Sequence, residues 1–451
     1  MGRSRNRIFT PAERSWIFYD WANSAYATII MAAVFPIYFA SVAKSAGVSG
    51  DVWWGYGSSA ATLTVAVLAP VLGAIADFHG MKKKLLLTFL IIGLAFTSLM
   101  ALTDNWRIML LGYVFSYIGF TGSLLFYDAF ITDVTTPDRM DKVSAWGFAM
   151  GYLGGSTIPF ILSILLITVG PSFGIGATLA VKLSVGLCVV WWAGFSLPIL
   201  LHVHQVHSID MPARDLVGSA LRGIVRTARE IVANRAMLVF MLAYFFYIDG
   251  VNTVIHMATV YGSTLGLDST GMILALLVTQ LVAVPCSIAF GRLARRFGSI
   301  NMITAAIGIY TVICLVGFYM GILVESGAPG GVATATRLFW AMAVLVGTSQ
   351  GGIQALSRSF FGKLVPPDRS NEFFGFFDIF GKFAAVMGPF IYASVASLTG
   401  RSSSGILGLI VLFAIGFTII RIGRPYLRQV EEQGAAAERA AVEARNHSHG
   451  S

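Results

Sequence analysis

Charge is what this sequence has least of. Asp, Glu, Lys and Arg make up 12% of its 451 residues, about half the share of an ordinary soluble domain. A water-soluble fold has no way to hide the 56% of residues that are hydrophobic, so the bilayer must be the solvent for most of the surface. Cysteine is almost missing as well. Cys188, Cys286 and Cys314 lie far apart inside apolar runs, which leaves no disulfide framework and no cysteine metal knuckle. There is no Gly-x-x-x-x-Gly-Lys-Ser/Thr phosphate loop and no acidic pair in a soluble domain. Neither nucleotide-driven pumping nor enzymatic chemistry is therefore expected, and no cofactor. His202, His204 and His207 match no standard ligand spacing; they read as a solvated interfacial cluster, and no metal is expected. The basic start, MGRSRNRIF, is not followed by a short apolar core with a small-residue cleavage site. The first hydrophobic segment is too long for a cleaved signal and is expected to remain as a span.

What is present is long apolar helix. About twenty apolar residues cross a hydrocarbon core, and twelve such segments can be read, at about 15–43, 52–76, 84–102, 106–132, 141–169, 176–201, 236–262, 269–293, 299–323, 336–361, 371–398 and 404–423. The expected fold is an all-α polytopic membrane protein of two six-helix pseudo-symmetric bundles. Residues 1–201 form the first, 202–235 a cytoplasmic linker, 236–424 the second, and 425–451 a polar cytoplasmic tail, a solvated helix or disordered. Residues 222–235 have the pattern of a short basic amphipathic helix on the membrane surface.

The net charge of +9 has a plain explanation in orientation. Arg3, Arg5, Arg7, Lys82, Lys83, Lys84, Arg139, Lys142, the linker arginines, Arg292, Arg295, Arg296, Lys363, Arg369, Arg424 and Arg428 fall on one side of the twelve segments. The other side receives little beyond Lys44, Arg107, Arg337 and Arg401. The positive-inside rule places both termini and the linker in the cytoplasm. The partner implied is the lipid bilayer, not nucleic acid.

The halves repeat. A shift of 230 positions lays Phe130 on Phe360, Pro137-Asp138-Arg139 on Pro367-Asp368-Arg369, Gly151 on Gly381, and Pro159-Phe160 on Pro389-Phe390. A shift of 218 lays Gly73-x-x-x-Asp77-x-x-Gly80 on Gly291-x-x-x-Arg295-x-x-Gly298. Glycines at this spacing let two helices approach and the chain re-enter through a tight turn. The Asp77 carboxylate can cap a neighbouring helix N-terminus, and Lys82 with its neighbours faces the anionic leaflet. Repeated halves are a mark of secondary transporters. Asp20-x-x-Asn23 and Asp249-x-x-Asn252 share a spacing too, but their offset of 229 conflicts with the neighbouring 218, and the match is read as coincidence.

Twelve spans, two repeated halves and Gly73/Asp77/Gly80 before a basic cluster resemble the major facilitator superfamily. Glu13-Arg14-Ser15-Trp16, Tyr19-Asp20-Trp21-Ala22-Asn23-Ser24-Ala25-Tyr26, Phe35-Pro36-Ile37-Tyr38-Phe39 and Gln354-Ala355-Leu356-Ser357-Arg358-Ser359 narrow the resemblance. They look like its vacuole-effluxer-like branch, whose fungal members are autophagy-related amino-acid exporters. The resemblance covers residues 13–424 and implies a facilitator fold and export. It also implies that Asp77 caps span eleven near Asn371 and that a lysine, Lys82 among them, pairs with Asp133. His79 stands where the superfamily usually has arginine, and Arg295 replaces the acid in the second copy, so the latch is expected to be stronger in one half.

Depth sorts the charges inside the spans. Arg358 lies about 8 Å inside Lys363 at helical rise, close enough to snorkel to the cytoplasmic surface. Asp128 falls on its repeat position with opposite charge, leaving a salt bridge between them open. Asp20 is equally shallow, and with Asn23 it is assigned to the same gate. Lys382 is deeper, near mid-membrane, one turn after Asp378. Asp249, Asn252 and His256 follow one helix face at similar depth. Tyr113, Tyr117, Thr121 and Asp128 form one polar stripe, Gln350, Gln354 and Ser357 another. A site of acid, base, amide and imidazole suits a small polar or zwitterionic solute, with Asp249, His256 or Asp378 as proton carrier. The bland alternatives are a self-neutralised Asp378–Lys382 pair and stripes that only hydrogen-bond helices together. Secondary transport by a monomer in a prokaryotic cytoplasmic membrane is the expectation. A lipid or lysolipid translocator, needing an apolar cavity, and a non-transporting receptor, needing a larger extra domain, stay open.

Overall fold

The computed structural model describes residues 8–209 and 216–447; Arg3, Arg5 and Arg7 lie outside the described residues. These are helical throughout, with no strand among them. In chain order the helices are α1 (Pro11–Tyr26), α2 (Phe35–Ser45), α3 (Gly50–Ala76), α4 (Met81–Leu102), α5 (Trp106–Ala129), α6 (Ile131–Val134), α7 (Met140–Met150) and α8 (Ile158–Thr168). Then follow α9 (Ala177–His202), α10 (Leu216–Ala233), α11 (Arg235–Thr264), α12 (Ser269–Phe297), α13 (Ser299–Glu325), α14 (Gly331–Leu364), α15 (Ser370–Thr399) and α16 (Ser402–His447). Eleven helices in the described residues are long and apolar enough to cross a bilayer. A twelfth crossing needs Pro11–Ala33 and Phe35–Ser45, bent by 40°, to count as one.

Local chemistry sets the starts and the breaks. At the first start, Glu13 N donates to Thr10 Oγ1 and Thr10 N to Glu13 Oε2, at 3.1 and 2.8 Å, with Pro11 at the first helical position. Asn105, Asn234 and Asp268 cap α5, α11 and α12 with their side chains. Wide π turns occupy Ala27–Ala33 and Gly151–Thr157. Pro36 and Pro159 follow them, and each lacks the N–H that would continue the helical ladder. The second wide stretch packs on α1: a Cβ on Gly154 would overlap the Trp21 ring, and one on Gly151 would lie 2.7 Å from Ser24 Oγ. Glycine there is what lets α1 come so close.

The described chain divides into two compact units. One holds residues up to 135, 150–225 and 366–378; the other holds 136–149, 226–365 and the rest from 379 on. The core of the first is aromatic: Tyr26 stacks on Phe120 at 4.5 Å, Trp54 on Tyr113 at 3.9 Å, and Trp192 is wholly buried. The second is held by Tyr310 against Phe413 and by Tyr247 and Phe360, all buried. Leu63, Val67, Ile91 and Val190 are more than half exposed, as side chains facing acyl chains are. The amphipathic linker helix is α10, longer than expected, and its Arg226 and Glu230 pair at 3.6 Å. The tail continues α16 to His447, the helical one of the two alternatives; Leu427 within it is wholly buried, and Arg424, bonded to Asn301 Oδ1 at 2.8 Å, anchors it against α13.

Candidate functional site

In the first unit the turn between α3 and α4 builds a dense polar cluster. Asp77, one residue past α3, is 1% exposed. Its Oδ1 accepts from Asn371 N and Nδ2 at 2.9 and 2.8 Å, and its Oδ2 from Glu372 N at 2.9 Å. The carboxylate thus takes up N–H groups that the first turn of α15 leaves unpaired. Burial pushes the Asp77 carboxyl up to about 7, against the pull of Lys82 and of these donors. Gly73 makes the approach possible, since a Cβ there would overlap the Asn371 carbonyl. Gly80, at φ 71°, turns the chain into α4 in a conformation that favours glycine. Lys82 is fully buried; its Nζ lies 2.6 Å from Asp133 Oδ2, donates to Ser370 Oγ at 3.0 Å, and sits over the Phe130 ring. Asp133 Oδ1 accepts from Val206 N and His207 N at 2.9 and 2.8 Å, and His207 Nδ1 stands 3.2 Å away. His207 is therefore not merely solvated, as its sequence position suggested; the buried carboxylate of Asp133 holds the start of the linker. Asp20 Oδ2 accepts from Tyr127 Oη at 2.7 Å and Asn23 Nδ2 donates to Tyr19 O at 2.8 Å, both well inside α1. Asp128 is half-buried.

The second unit holds a counterpart. Gly291 packs on the backbone of Asp141, 3.1 Å from its carbonyl oxygen to an ideal Cβ, as Gly73 does on Asn371; the two partners are 230 positions apart. Asp141 is buried and accepts from Ser359 Oγ at 2.6 Å, Ser299 Oγ at 2.8 Å and Lys363 Nζ at 2.6 Å. Arg358 is 4% exposed. Its Nε donates to Ser144 Oγ at 2.9 Å, its Nη2 to Ser144 O at 3.2 Å, and the guanidinium lies 4.5 Å from the Phe148 ring centre. Snorkelling is thus corrected: a flat guanidinium satisfied by a hydroxyl, a carbonyl and a ring has no need of the surface. Arg295, where the repeat puts Asp77, is exposed. Asp141, Ser144, Ser299 and Lys363 were missed as a site. The 230 shift that pairs Asp141 with Asn371 was the signal available for them.

The deeper candidates separate. Tyr117 and Asp378 fall in the first unit, where Thr62 lies within hydrogen-bonding reach of the Tyr117 hydroxyl. Tyr113 Oη meets Ser58 Oγ at 3.1 Å, so this stripe lies against α3. Asp249, Asn252, His256, Gln350, Gln354 and Lys382 fall in the second unit. Asp249 is wholly buried; Oδ1 accepts from Gly388 N at 2.8 Å and Oδ2 has no partner. A Cβ on Gly388 would overlap Thr253 Oγ1, and Pro389 follows directly. His256 is exposed, its Nδ1 2.7 Å from Asn252 O. One face in sequence is therefore three environments in space. Gln350 is 7% exposed and helps line a cavity of about 60 Å³ with Thr279 and Gln280. Gln354 and Lys382 are half-buried; Lys382 stands one turn after Asp378 along α15. In the first unit Lys182 also lies 2.8 Å from Asp104, and Tyr38 Oη donates to the same carboxylate. The Lys182 and Tyr38 hydrogen bonds hold the exposed Asp104 carboxyl below its usual range. No group of three His, Cys, Asp or Glu among the described residues is placed to hold a metal.

Comparison with known proteins fits this architecture. The family model described as "Vacuole effluxer Atg22 like" matches residues 54–138 and 131–424. The "Uncharacterized MFS-type transporter YxiO" of Bacillus subtilis (strain 168) is 45% identical over 419 residues, 91% of this chain and 94% of that protein. "Autophagy-related protein 22" of Cryptococcus neoformans var. neoformans serotype D is 26% identical over 62% of this chain, a match spanning 49% of that relative. Among solved structures, the human organic anion transporter MFSD10 (TETRAN) is similar with a TM-score of 0.64 at 17% identity, over 90% of this chain and 99% of that one. The major facilitator transporter FucP in the outward conformation reaches 0.64 at 15% identity, over 92% and 99%.

Proposed function

The chain belongs to the vacuole effluxer Atg22-like family of the major facilitator superfamily, and from there we propose that it exports a small polar or zwitterionic solute, amino acids included, coupled to protons. Asp249 is the observation that carries this reading. A carboxylate sealed from water, with one oxygen bonded to a backbone N–H and the other bare, is costly in a bilayer unless it exchanges a proton or a cation. Lys382, Asp378 and the Gln350/Gln354 stripe supply charges and amides that a zwitterion would use. The cavity beside Gln350, about 60 Å³, is far below the several hundred Å³ that enclose an ordinary organic ligand, so the solute would be met in a path that opens. In this reading the halves 1–201 and 236–424 rock around that path, and the polar clusters of Asp77–Lys82–Asp133 and Asp141–Arg358–Lys363 break and re-form as the cytoplasmic gate.

The test begins with thermal stabilisation of the purified chain across a panel of amino acids, other zwitterions and lysolipids. The stabilising solute is then loaded into proteoliposomes with an imposed pH gradient. Concentrative flux should disappear with a protonophore, and Asp249→Asn should lose accumulation while keeping solute exchange. Accumulation indifferent to the protonophore would sink the coupling, and stabilisation by lysolipids alone would move the chain to lipid translocation. Lys382→Glu should abolish flux in protein that still reaches the membrane; normal flux removes Lys382 from the solute path.

A further inference from the structure

We infer that the polar segment following the last span is a working part of the gate, with Glu431 as its positioning residue. The inference deepens the gate reading above and rests on it.

The helix α13 begins without a cap of its own. Its N-cap is Gly298, at φ +87°, which has no side chain to offer the orphan N–H groups of the first turn. Glu431, more than a hundred residues later, fills that place. Its Oε1 accepts from Ile300 N at 3.1 Å. A Cβ on Gly298 would stand 2.9 Å from Glu431 Oε2, so the glycine also clears room for the carboxylate. The next residue, Ser299, is the hydroxyl that donates to Asp141 and accepts from Lys363 Nζ at 3.1 Å. Glu431 therefore fixes the turn that places Ser299 in the gate cluster. Its own helix is held for the purpose. Arg424 bonds Asn301, Leu427 is buried, and Tyr426 accepts from Arg235 Nη1 at 2.9 Å while its ring lies under that guanidinium.

The same device stands in the first unit. The helix α4 also starts at a glycine with positive φ, Gly80, and has no side-chain cap. The acceptor comes from just past α9: Gln205 Oε1 accepts from Lys82 N at 3.3 Å, while its Nε2 donates to Ala76 O at 3.1 Å. Lys82 and Ile300 are 218 positions apart, the offset of the two glycine motifs. Each half thus uses the segment after its sixth span to cap the helix that follows its gate turn. The residue so fixed is Lys82 of one gate cluster in the first half, and Ile300, next to Ser299 of the other cluster, in the second.

Hydrogen–deuterium exchange on the full chain in nanodiscs tests this without a substrate. Losing a cap weakens a helix start enough to speed exchange by roughly 2- to 30-fold. Glu431→Ala should speed exchange at 299–303 by that factor and carry the change to 139–145 and 358–364, the other strands of the cluster. Glu431→Gln, which keeps an acceptor as Gln205 does, should restore most of the protection at all three. Gln205→Ala should act in the same way on 81–85 and 131–134. A change confined to 299–303, or none, overturns the inference, since a cap with only a structural role would leave the rest of the cluster as it was. If Glu431→Ala does not fold, the Gln205→Ala profile decides. Absence of flux in the wild-type chain would count against transport and leave these exchange results standing.

Discussion

Lys82 shows how much of this protein's charge is spent internally. Both it and Asp133 are fully buried, and a buried pair that loses one partner costs about 3–5 kcal/mol because the other charge is stranded. Lys82→Met or Asp133→Asn should therefore lower the apparent melting temperature by several degrees, whereas Lys84→Met, at an exposed neighbour, should leave it unchanged. Asp77 adds a pH dependence whose sign can be worked out. Its value near 7 in the folded chain lies above the roughly 3.9 of a free aspartate, so the folded state holds the extra proton between those limits. Stability from this group is present at the acid end, declines as pH rises, and is lost above about 7. Melting curves of wild type and Asp77→Asn from pH 5 to 8 should show the wild type losing ground to the variant across that window. A difference that does not vary with pH would mean the donors from Asn371 and Glu372 outweigh burial.

At the scale of the element, the spans were legible because a bilayer leaves helix as the way to pair every backbone group, and their ends fell close to where charge, Pro and capping residues put them. What was not legible was the use of polar residues between helices. Asp141 carries no local motif; it matters because Ser299, Ser359 and Lys363, from two other helices, converge on it. Glu431 sits in a sequence of Ala, Glu and Arg that reads as solvated, and only the close approach to Gly298 gives it a task. The wide turns at Ala27–Ala33 and Gly151–Thr157 were likewise invisible, although the glycines and Pro159 that permit them were in plain view. The close contact at Gly388 yields a test of the same kind. Gly388→Ala would press a methyl into Thr253 Oγ1 and the Asp249 carboxylate, and should destabilise the fold and abolish accumulation. Thr253→Ala in the same chain should recover part of the stability, as residues in contact couple by about 0.5–3 kcal/mol. Additive losses would show that the helices separate there without cost.

For the whole molecule the open question is parity, and it hangs on one bend. The first helical pair turns by 40° at Val34. If it crosses the bilayer once, the chain has twelve spans and its termini share a side. If it does not cross, eleven remain and the termini lie opposite. The distribution of charge argues for twelve: Arg3, Arg5 and Arg7 precede the bent pair, and a crossing there puts them on the face that also holds Lys82, Arg139, Arg369, the linker and the tail. The exposed Asp104–Lys182 pair and the short turns at 46–49 and 326–330 then face outward. Fusions of green fluorescent protein and alkaline phosphatase after residues 47, 104, 328 and 447 fix the frame, and labelling of Ile8→Cys, ahead of α1, with a membrane-impermeant thiol reagent decides it. Fluorescence without phosphatase activity is expected at 447, and the reverse at 47, 104 and 328. Labelling of Ile8→Cys from the outer face would show that the bent pair does not cross, since 47 and 104 are two spans apart and share a side in either case. The repeat would then be broken at its first element, and the reading of two rocking halves would have to be given up.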